Sequence, residues 1–269
     1  MRVSLKDFEK RDINLEIAIV NDVENSPLGR YIKVLETLIA NNGEMSLAQL
    51  AVEMALPAAS VHRLVTMLVA LNLVSKSASG RAYSIGPRAR NLGLAMLTRE
   101  TIVEIVHPFL RELADTFGEV AFFTRKIGLT AETVAMVQPE GSSGAIVFPG
   151  RELPPHAAAS AKAIFAFQPD DTIAKVLARE LEKYTEDTKT SRQEILAEYE
   201  KIRKNRFSIC DNEVDVGVLT FATPIFIPQV EVQYALGICG LKPRLEAIPF
   251  EVIEARLKAQ AERIAERLA

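Results

Sequence analysis

The chain has 269 residues, 48% of them hydrophobic, and 32 Lys and Arg against 35 Asp and Glu give a net charge of −3. That length predicts about two domains. The lack of any run of eighteen apolar residues argues against a membrane span, and two cysteines with no CxxC pair argue against a zinc site or a disulfide framework. The first residues are charged and lack an apolar signal core, so a cytoplasmic protein with reduced thiols, no metal and no cofactor is expected.

Residues 1–27 hold 4 basic and 6 acidic residues, show no clear periodicity outside Ile13–Val20, and read as an N-terminal arm. Residues 28–86 read as a winged helix-turn-helix. Leu28, Ile32, Leu35, Leu38 and Ile39 give a first helix able to cover two shorter ones. Ser46 followed by Gln49 is a capping box, and Leu47, Leu50, Ala51 and Met54 form one apolar face. Ala55-Leu56 makes a tight turn, and Pro57 suits the first position of the next helix, where no amide donor is needed. In that helix Val61, Leu64, Val65 and Leu68 form a buried stripe. Its other face carries Ala58, Ser60, His62, Arg63 and Thr66, small or polar groups able to approach a major groove. Leu71–Lys76 ends the helix and enters an alternating segment, Ser77–Gly80 forms a turn, and Arg81–Ile85 alternates again, which predicts a two-stranded hairpin. Lys76 and Arg81 lie near its tip, placed to contact phosphates.

Charge supports this reading. Residues 28–99 carry 8 basic and 3 acidic residues, whereas residues 100–269 carry 20 and 26. A local +5 on an acidic chain is the electrostatic footprint of a DNA-binding module. The candidate DNA-contacting residues are Ser46, Pro57, Ala58, Ser60, His62, Arg63, Thr66, Lys76 and Arg81. Two other readings stay open: a plain helical bundle, and a winged helix that binds protein. Arg63 has a structural alternative in a pair with Glu53. Pro87–Leu97 predicts a connecting helix over 87–100, with Leu92 and Met96 available to a second copy. The modest charge of one module implies at least a dimer on the operator.

Residues 101–269 read as a separate effector domain. Thr101–Phe117 predicts a helix ended by Gly118 and kinked or broken after His107 by Pro108. Strands are expected over Val120–Arg125, Thr133–Val137 and Ala145–Phe148, with a turn at Ser142–Gly144. After a loop, a helix of small residues starts near Ala158 and stops before Pro169. A capping signal at Thr190–Glu194 opens a helix to about Asn205. Phe207–Cys210, Val216–Ala222 and Val232–Ile238 predict three more strands, and a final helix starts at Pro249. Strands, helices and strands again suit an antiparallel sheet covered by helices, an α+β fold.

The order of elements and the strings Leu56–Leu68, Leu153–Ile164, Phe207–Gly217 and Ala222–Phe226 resemble the IclR family of bacterial transcriptional regulators, from about Leu28 to Leu268. The resemblance implies a winged helix-turn-helix joined by a helix to a GAF-like effector domain, a homodimer or homotetramer, a double-stranded DNA operator, and a small-molecule effector that is often an organic or aromatic acid. It implies control of a catabolic operon. Ala58 and Ala59 stand where relatives often carry a basic or polar residue, which leaves readout to Ser60, His62 and Arg63. Ala161 stands where relatives often have Gly.

The resemblance places Cys210, Asp211, Thr220, Gly237 and Cys239 around the effector pocket. Some relatives have Asp, Cys, Ser and Ser at the positions of Cys210, Thr220, Gly237 and Cys239, so this pocket holds fewer hydroxyl and carboxylate groups. His156 precedes the helix that begins among Ala157, Ala158, Ala159 and Ser160, whose free amides suit a carboxylate. Arg151 or His156 would add a donor, and Ile146, Phe148, Thr220 and Cys239 suit an aromatic or branched body. His156 reads equally as a structural hydrogen-bonding residue, and the cysteines read as buried hydrophobes. An enzyme reading would use Cys210 or Cys239 as a nucleophile activated by His156, but no nucleophile elbow, phosphate loop or metal spacing accompanies it.

Overall fold

The computed structural model describes residues 26–41, 44–140 and 147–268. The expected arm up to residue 25, the turn at 142–144 and the strand residues 145–146 lie outside the described residues. The chain divides into two compact units, one up to Ala95 and one from Met96. The segment 87–100 is shared between them.

In the first unit, helix α1 spans Pro27–Ala40. The Ser26 hydroxyl accepts from the Gly29 amide at 3.0 Å, and Pro27 occupies the first turn, where its missing donor costs nothing. The buried stripe is Val34, Thr37 and Leu38, flanked by Tyr31 and Leu35, while Leu28, Ile32 and Ile39 are exposed. The aliphatic residues of α1 thus fall into two stripes. Tyr31, Val34, Leu35 and Leu38, at i, i+3, i+4 and i+7, form the stripe that packs on the core.

Strand β1 (Met45–Ser46) leads into α2 (Leu47–Glu53), and the capping box forms as expected. The Gln49 amide donates to Ser46 Oγ at 3.3 Å, and the Ser46 amide donates to Gln49 Oε1 at 2.8 Å. Ala55, at φ 52°, turns the chain into α3 (Ala58–Ala70), which leaves α2 at 112°. That angle is the geometry of a helix-turn-helix. Pro57 is the N-cap, one position earlier than expected, and its carbonyl accepts from the Ser60 and Val61 amides. Val61, Val65 and Leu68 are buried against α1 and α2.

The wing has three strands rather than two. β2 (Val74–Lys76) and β3 (Ala82–Ile85) form the hairpin, and β1 adds to β3 through Met45–Tyr83 and Ser46–Ala82. A two-residue strand has no period to read. Gly86 follows β3, and a Cβ there would lie 2.5 Å from the Asn72 carbonyl oxygen, so only glycine lets the hairpin close onto the end of α3. Helix α4 (Pro87–Ala95) packs on β2. Among the described residues no single helix is long and apolar enough to cross a membrane. The bent pair that meets that test by composition is α2 and α3.

The second unit opens with α5 (Arg99–Phe117), ended by Gly118 in the left-handed region. The helix runs unbroken through Pro108. Val106, Phe109, Leu110 and Leu113 are buried on both sides of the proline, and burying four such side chains outweighs the ~3 kcal/mol a mid-helix proline costs. There follow β4 (Val120–Ile127), β5 (Thr130–Val137), β6 (Glu152–Leu153), α6 (Ala159–Phe165), α7 (Asp170–Leu177), α8 (Arg192–Asn205), β7 (Ser208–Asp211), β8 (Val218–Ile225), β9 (Tyr234–Leu241), α9 (Lys242–Glu246) and α10 (Phe250–Leu268). Val147 and Phe148 lie in a loop, and β6 is the strand that pairs with Ala131 and Glu132 instead. Ser191 caps α8 without a side-chain bond.

The six strands form one antiparallel sheet in the order β6-β5-β4-β9-β8-β7. Register sorts its residues by face. The rows Cys210–Thr220–Cys239 and Ser208–Ala222–Gly237–Phe122 alternate with Ile209–Phe221–Ile238–Ala121. Successive residues on a strand point to opposite faces. The first two rows therefore look toward α6, and the third looks toward α5 and α10. Phe221 against Phe250 of α10, with ring centroids 5.9 Å apart, marks that second face.

Candidate DNA interface and effector cavity

The exposed face of α3 carries Pro57, Ala58, His62, Arg63 and Thr66, with Ser60 half-buried beside them. Its opposite face is locked into the core, so the helix is held rigidly with its polar side outward. Arg63 is not ion-paired with Glu53, which removes the structural alternative for its guanidinium. Thr66 Oγ1 donates back to the His62 carbonyl at 2.7 Å, leaving the hydroxyl's lone pairs outward. The Ser46 hydroxyl donates to Gln49 Oε1 at 2.8 Å and is spent in the cap. Ser46 thus seats α2 through the capping box. A groove lined by Arg30, Tyr31, Ser60, His62, Arg63 and Thr66 runs between the start of α1 and α3. Arg30, exposed at its rim, was not singled out from the sequence, because its helix was read only for its apolar residues. At the wing, the Ser77 amide donates to the Ala82 carbonyl at 2.8 Å. Gly80 turns the chain at φ 72°, and Lys76 lies over the Tyr83 ring. Lys76 and Arg81 are both exposed there.

In the second unit a cavity of about 530 Å³, its open mouth included, lies between the α6 side of the sheet, the start of α6 and the loops at 147–151 and 214–215. Phe148, Arg151, Ala159, Ser160, Cys210, Thr220 and Cys239 all line it. Ala158 at the helix start lines it too, and Phe122, Thr133, Val147, Leu153, Val214, Asp215 and Val218 complete it and were missed. Strand parity would have found Phe122 and Val218, once the register of β4 and β8 was known. Ile146 lies outside the described residues.

Three expected pocket residues are placed elsewhere. Asp211 follows Cys210 on β7, so parity turns it to the other face, where Lys242 donates to it at 2.8 Å. His156 is buried, bonds through Nε2 to the Glu182 carbonyl at 2.9 Å and stacks on Tyr184, beside a different groove. It takes the structural role. Gly237 does not line the cavity but shapes it. A Cβ there would stand 2.6 Å from Phe122 Cζ, so the glycine makes room for the Phe122 ring.

The cavity wall is mostly apolar with a few polar atoms. Thr124 Oγ1 donates to Ser160 Oγ at 3.0 Å, which leaves the serine proton for another acceptor. Thr220 Oγ1 donates to Cys239 Sγ at 3.2 Å. Burial pushes both thiols up, Cys210 and Cys239 each to about 11. Each stays protonated near neutrality, and His156 engages neither. The ion pair of an activated nucleophile is therefore not assembled. Native protein should resist iodoacetamide near neutral pH and become reactive only on unfolding or toward pH 11, as thiol counting would show. Rapid labelling of the folded chain at neutral pH would contradict the burial. The sign for stability follows from the same shift. The folded thiols hold protons that unfolded ones release above the ordinary value of 9.0. Their contribution is complete below pH 9 and is lost as pH rises through about 11.

Behind the cavity lies a cluster of charges that the sequence reading did not single out. Lys162 of α6, 1% exposed, donates to Glu213 Oε1 at 2.7 Å and to Glu198 Oε1 at 2.5 Å. Lys189 completes it by pairing with both carboxylates. The signal for it was a lone lysine in an otherwise small and apolar helix. Burial alone would raise the Glu198 carboxyl, but Lys162 and Lys189 hold it below its ordinary value. Glu213 begins the loop that contributes Val214 and Asp215 to the cavity, so the cluster fixes that loop to α6. Thr188 Oγ1 adds a 2.6 Å bond to the Glu213 carbonyl.

A helix-turn-helix with a wing on one unit and a pocketed antiparallel sheet on the other define a DNA-binding transcriptional regulator with an effector domain. Residues 27–78 match the IclR helix-turn-helix domain and residues 94–266 match the C-terminal domain of bacterial transcriptional regulator IclR. The chain belongs to the IclR family. It is 29% identical over 219 residues to the transcriptional repressor IclR of Escherichia coli, covering 79% of each chain. It is 28% identical over 202 residues to the probable transcriptional regulator SauR of Cupriavidus necator, covering 75% of this chain and 80% of that one. Among solved structures, Thermotoga maritima IclR superposes with a TM-score of 0.59 at 23% identity, over 90% of this chain and 98% of that one. An IclR homolog from Microbacterium hydrocarbonoxydans complexed with 4-hydroxybenzoate gives 0.58 at 18%, over 90% and 99%. The two structures share the fold with this chain.

Proposed function

We propose that the chain is a cytoplasmic, non-enzymatic regulator of a catabolic operon, and that a small organic or aromatic acid bound in the second unit's cavity sets its affinity for the operator. The observation that carries this reading is the cavity: a largely apolar body, an exposed arginine at its mouth, and the start of α6 lining its wall. Ala158, Ala159 and Ser160 keep side chains small there, so a carboxylate reaches the first-turn amides and Arg151 together. The apolar remainder takes an aromatic or branched body in preference to a two-carbon acid. The Microbacterium relative that binds 4-hydroxybenzoate supports an aromatic acid on this fold. DNA contacts fall to Pro57, Ala58, Ser60, His62, Arg63 and Thr66 on the helix, and to Lys76 and Arg81 on the wing. A homodimer or homotetramer would present two such modules to related half-sites.

The test is a thermal-shift panel on the full chain, pairing carboxylic acids with their neutral amides, followed by gel shifts on the DNA upstream of the neighbouring genes. Acids should raise the melting temperature, their amides should not, and the same acids should change operator affinity. Stabilisation by the amides alone would remove the carboxylate from the reading.

A further inference from the structure

The mouth of the cavity carries two opposite charges, and both point to the ligand. Arg151 follows Gly150, which turns the loop at φ 85°, and the Thr133 amide donates to the Arg151 carbonyl at 3.3 Å. Asp215 sits in the loop held at one end by the buried Glu213 and at the other by Gly217, whose amide donates to Asn212 Oδ1 at 2.7 Å. The guanidinium and the carboxylate face each other at 4.0 Å, each more than two-fifths exposed. At that separation they attract without closing a hydrogen bond, and a pair this exposed adds little to stability. Both groups line the cavity and remain available to a ligand.

A simple carboxylate satisfies only half of this mouth. Drawing Arg151 to itself, it leaves Asp215 uncompensated and close to its own negative charge. A ligand with an ammonium group next to its carboxylate answers both: the carboxylate takes Arg151, the ammonium takes Asp215, and the mouth remains neutral. Behind them Phe122, Leu153, Val214 and Val218 offer only apolar surface to the rest of the molecule. We infer that the acid taken by this cavity is a zwitterion, an α-amino acid whose apolar side chain enters the cavity. The inference rests on the acid-effector reading above and narrows it.

The experiment is isothermal titration of the full chain with two matched sets: L-phenylalanine, 3-phenylpropionate and phenethylamine, then L-leucine, 4-methylpentanoate and 3-methylbutylamine. Within at least one set the amino acid should bind about ten-fold more tightly than either partner that lacks one charge, the value of one added charge-assisted hydrogen bond. Asp215→Asn should erase that gap by strengthening the plain acid and weakening the amino acid. Arg151→Gln should weaken both. Both residues lie at the surface of the mouth, so circular dichroism and melting curves should match the parent. If a plain acid binds as well as its amino acid, or Asp215→Asn leaves the gap unchanged, the zwitterion is overturned while the acid-effector reading stands. If no acid binds, with or without an amino group, both fall together.

Discussion

Lys162→Met should destabilise the second unit by about 3–5 kcal/mol, the cost of leaving buried carboxylates without their partner. Lys162 is almost wholly enclosed, and both of its carboxylate partners are at most 17% exposed in their side chains. Lys189 would remain, but its side chain is 37% exposed and it cannot neutralise two buried charges alone. One oxygen of Glu213 already lacks a partner, so the variant would leave that carboxylate nearly bare. For a domain of this size the melting temperature should fall by roughly 6–20 °C. Lys162→Met combined with Glu213→Gln should recover much of the loss, because it removes a lysine and a carboxylate together, and that non-additivity is the signature of a direct pair. The acid limb should change too. Glu198 is held below its ordinary 4.5, so its contribution is present above that value and disappears as pH falls through the lower folded value. Without Lys162 that acid-dependent loss should flatten. Melting curves across pH would show both effects. A Lys162→Met protein as stable as the parent would mean that water reaches the cluster.

Local signals made the first unit legible and long-range ones hid much of the second. The capping box, the turn at Ala55 and the stripe Val61–Val65–Leu68 are each set within a few residues, and each appears where the spacing puts it. In α1 the ambiguity is also local: the aliphatic residues fit two faces, and Tyr31 and Val34 select the one that is buried. In the sheet, strand identity was readable but register was not. Asp211 reads as a pocket residue beside Cys210, but neighbours on a strand oppose each other and it pairs with Lys242 instead. The placing of Phe122 in the cavity lining depends on the pairing of β4 with β9, whose partners lie more than ninety residues apart. The quartet of Lys162, Lys189, Glu198 and Glu213 joins four separate segments, and no short window of sequence contains it. Pro108 shows the reverse case, a strong local signal overridden by burial on both sides.

Arg63→Ala should weaken specific operator binding by about 1–3 kcal/mol, roughly five- to more than a hundred-fold, if the guanidinium reads a base edge. The residue stands on the outward face of α3, exposed and not committed to Glu53, so its truncation removes no internal contact. The melting temperature should therefore stay within the small scatter of a surface substitution, which separates a lost contact from a lost fold. Salt dependence then decides what Arg63 touches. Loss of a phosphate contact should lower the slope of log K against log salt by about one and weaken all sequences alike. Loss of a base contact should leave the slope and non-specific binding largely intact, and collapse the preference for the operator over a variant at one base pair. Ala58 and Ala59 allow close approach and supply no donors, so Ser60 and His62 flank Arg63 as the remaining readers at the start of the helix. Arg63 is therefore the residue on this surface whose truncation is expected to cost the most direct readout. A folded Arg63→Ala protein with unchanged operator affinity would place recognition elsewhere, with the groove residue Arg30 the next to replace.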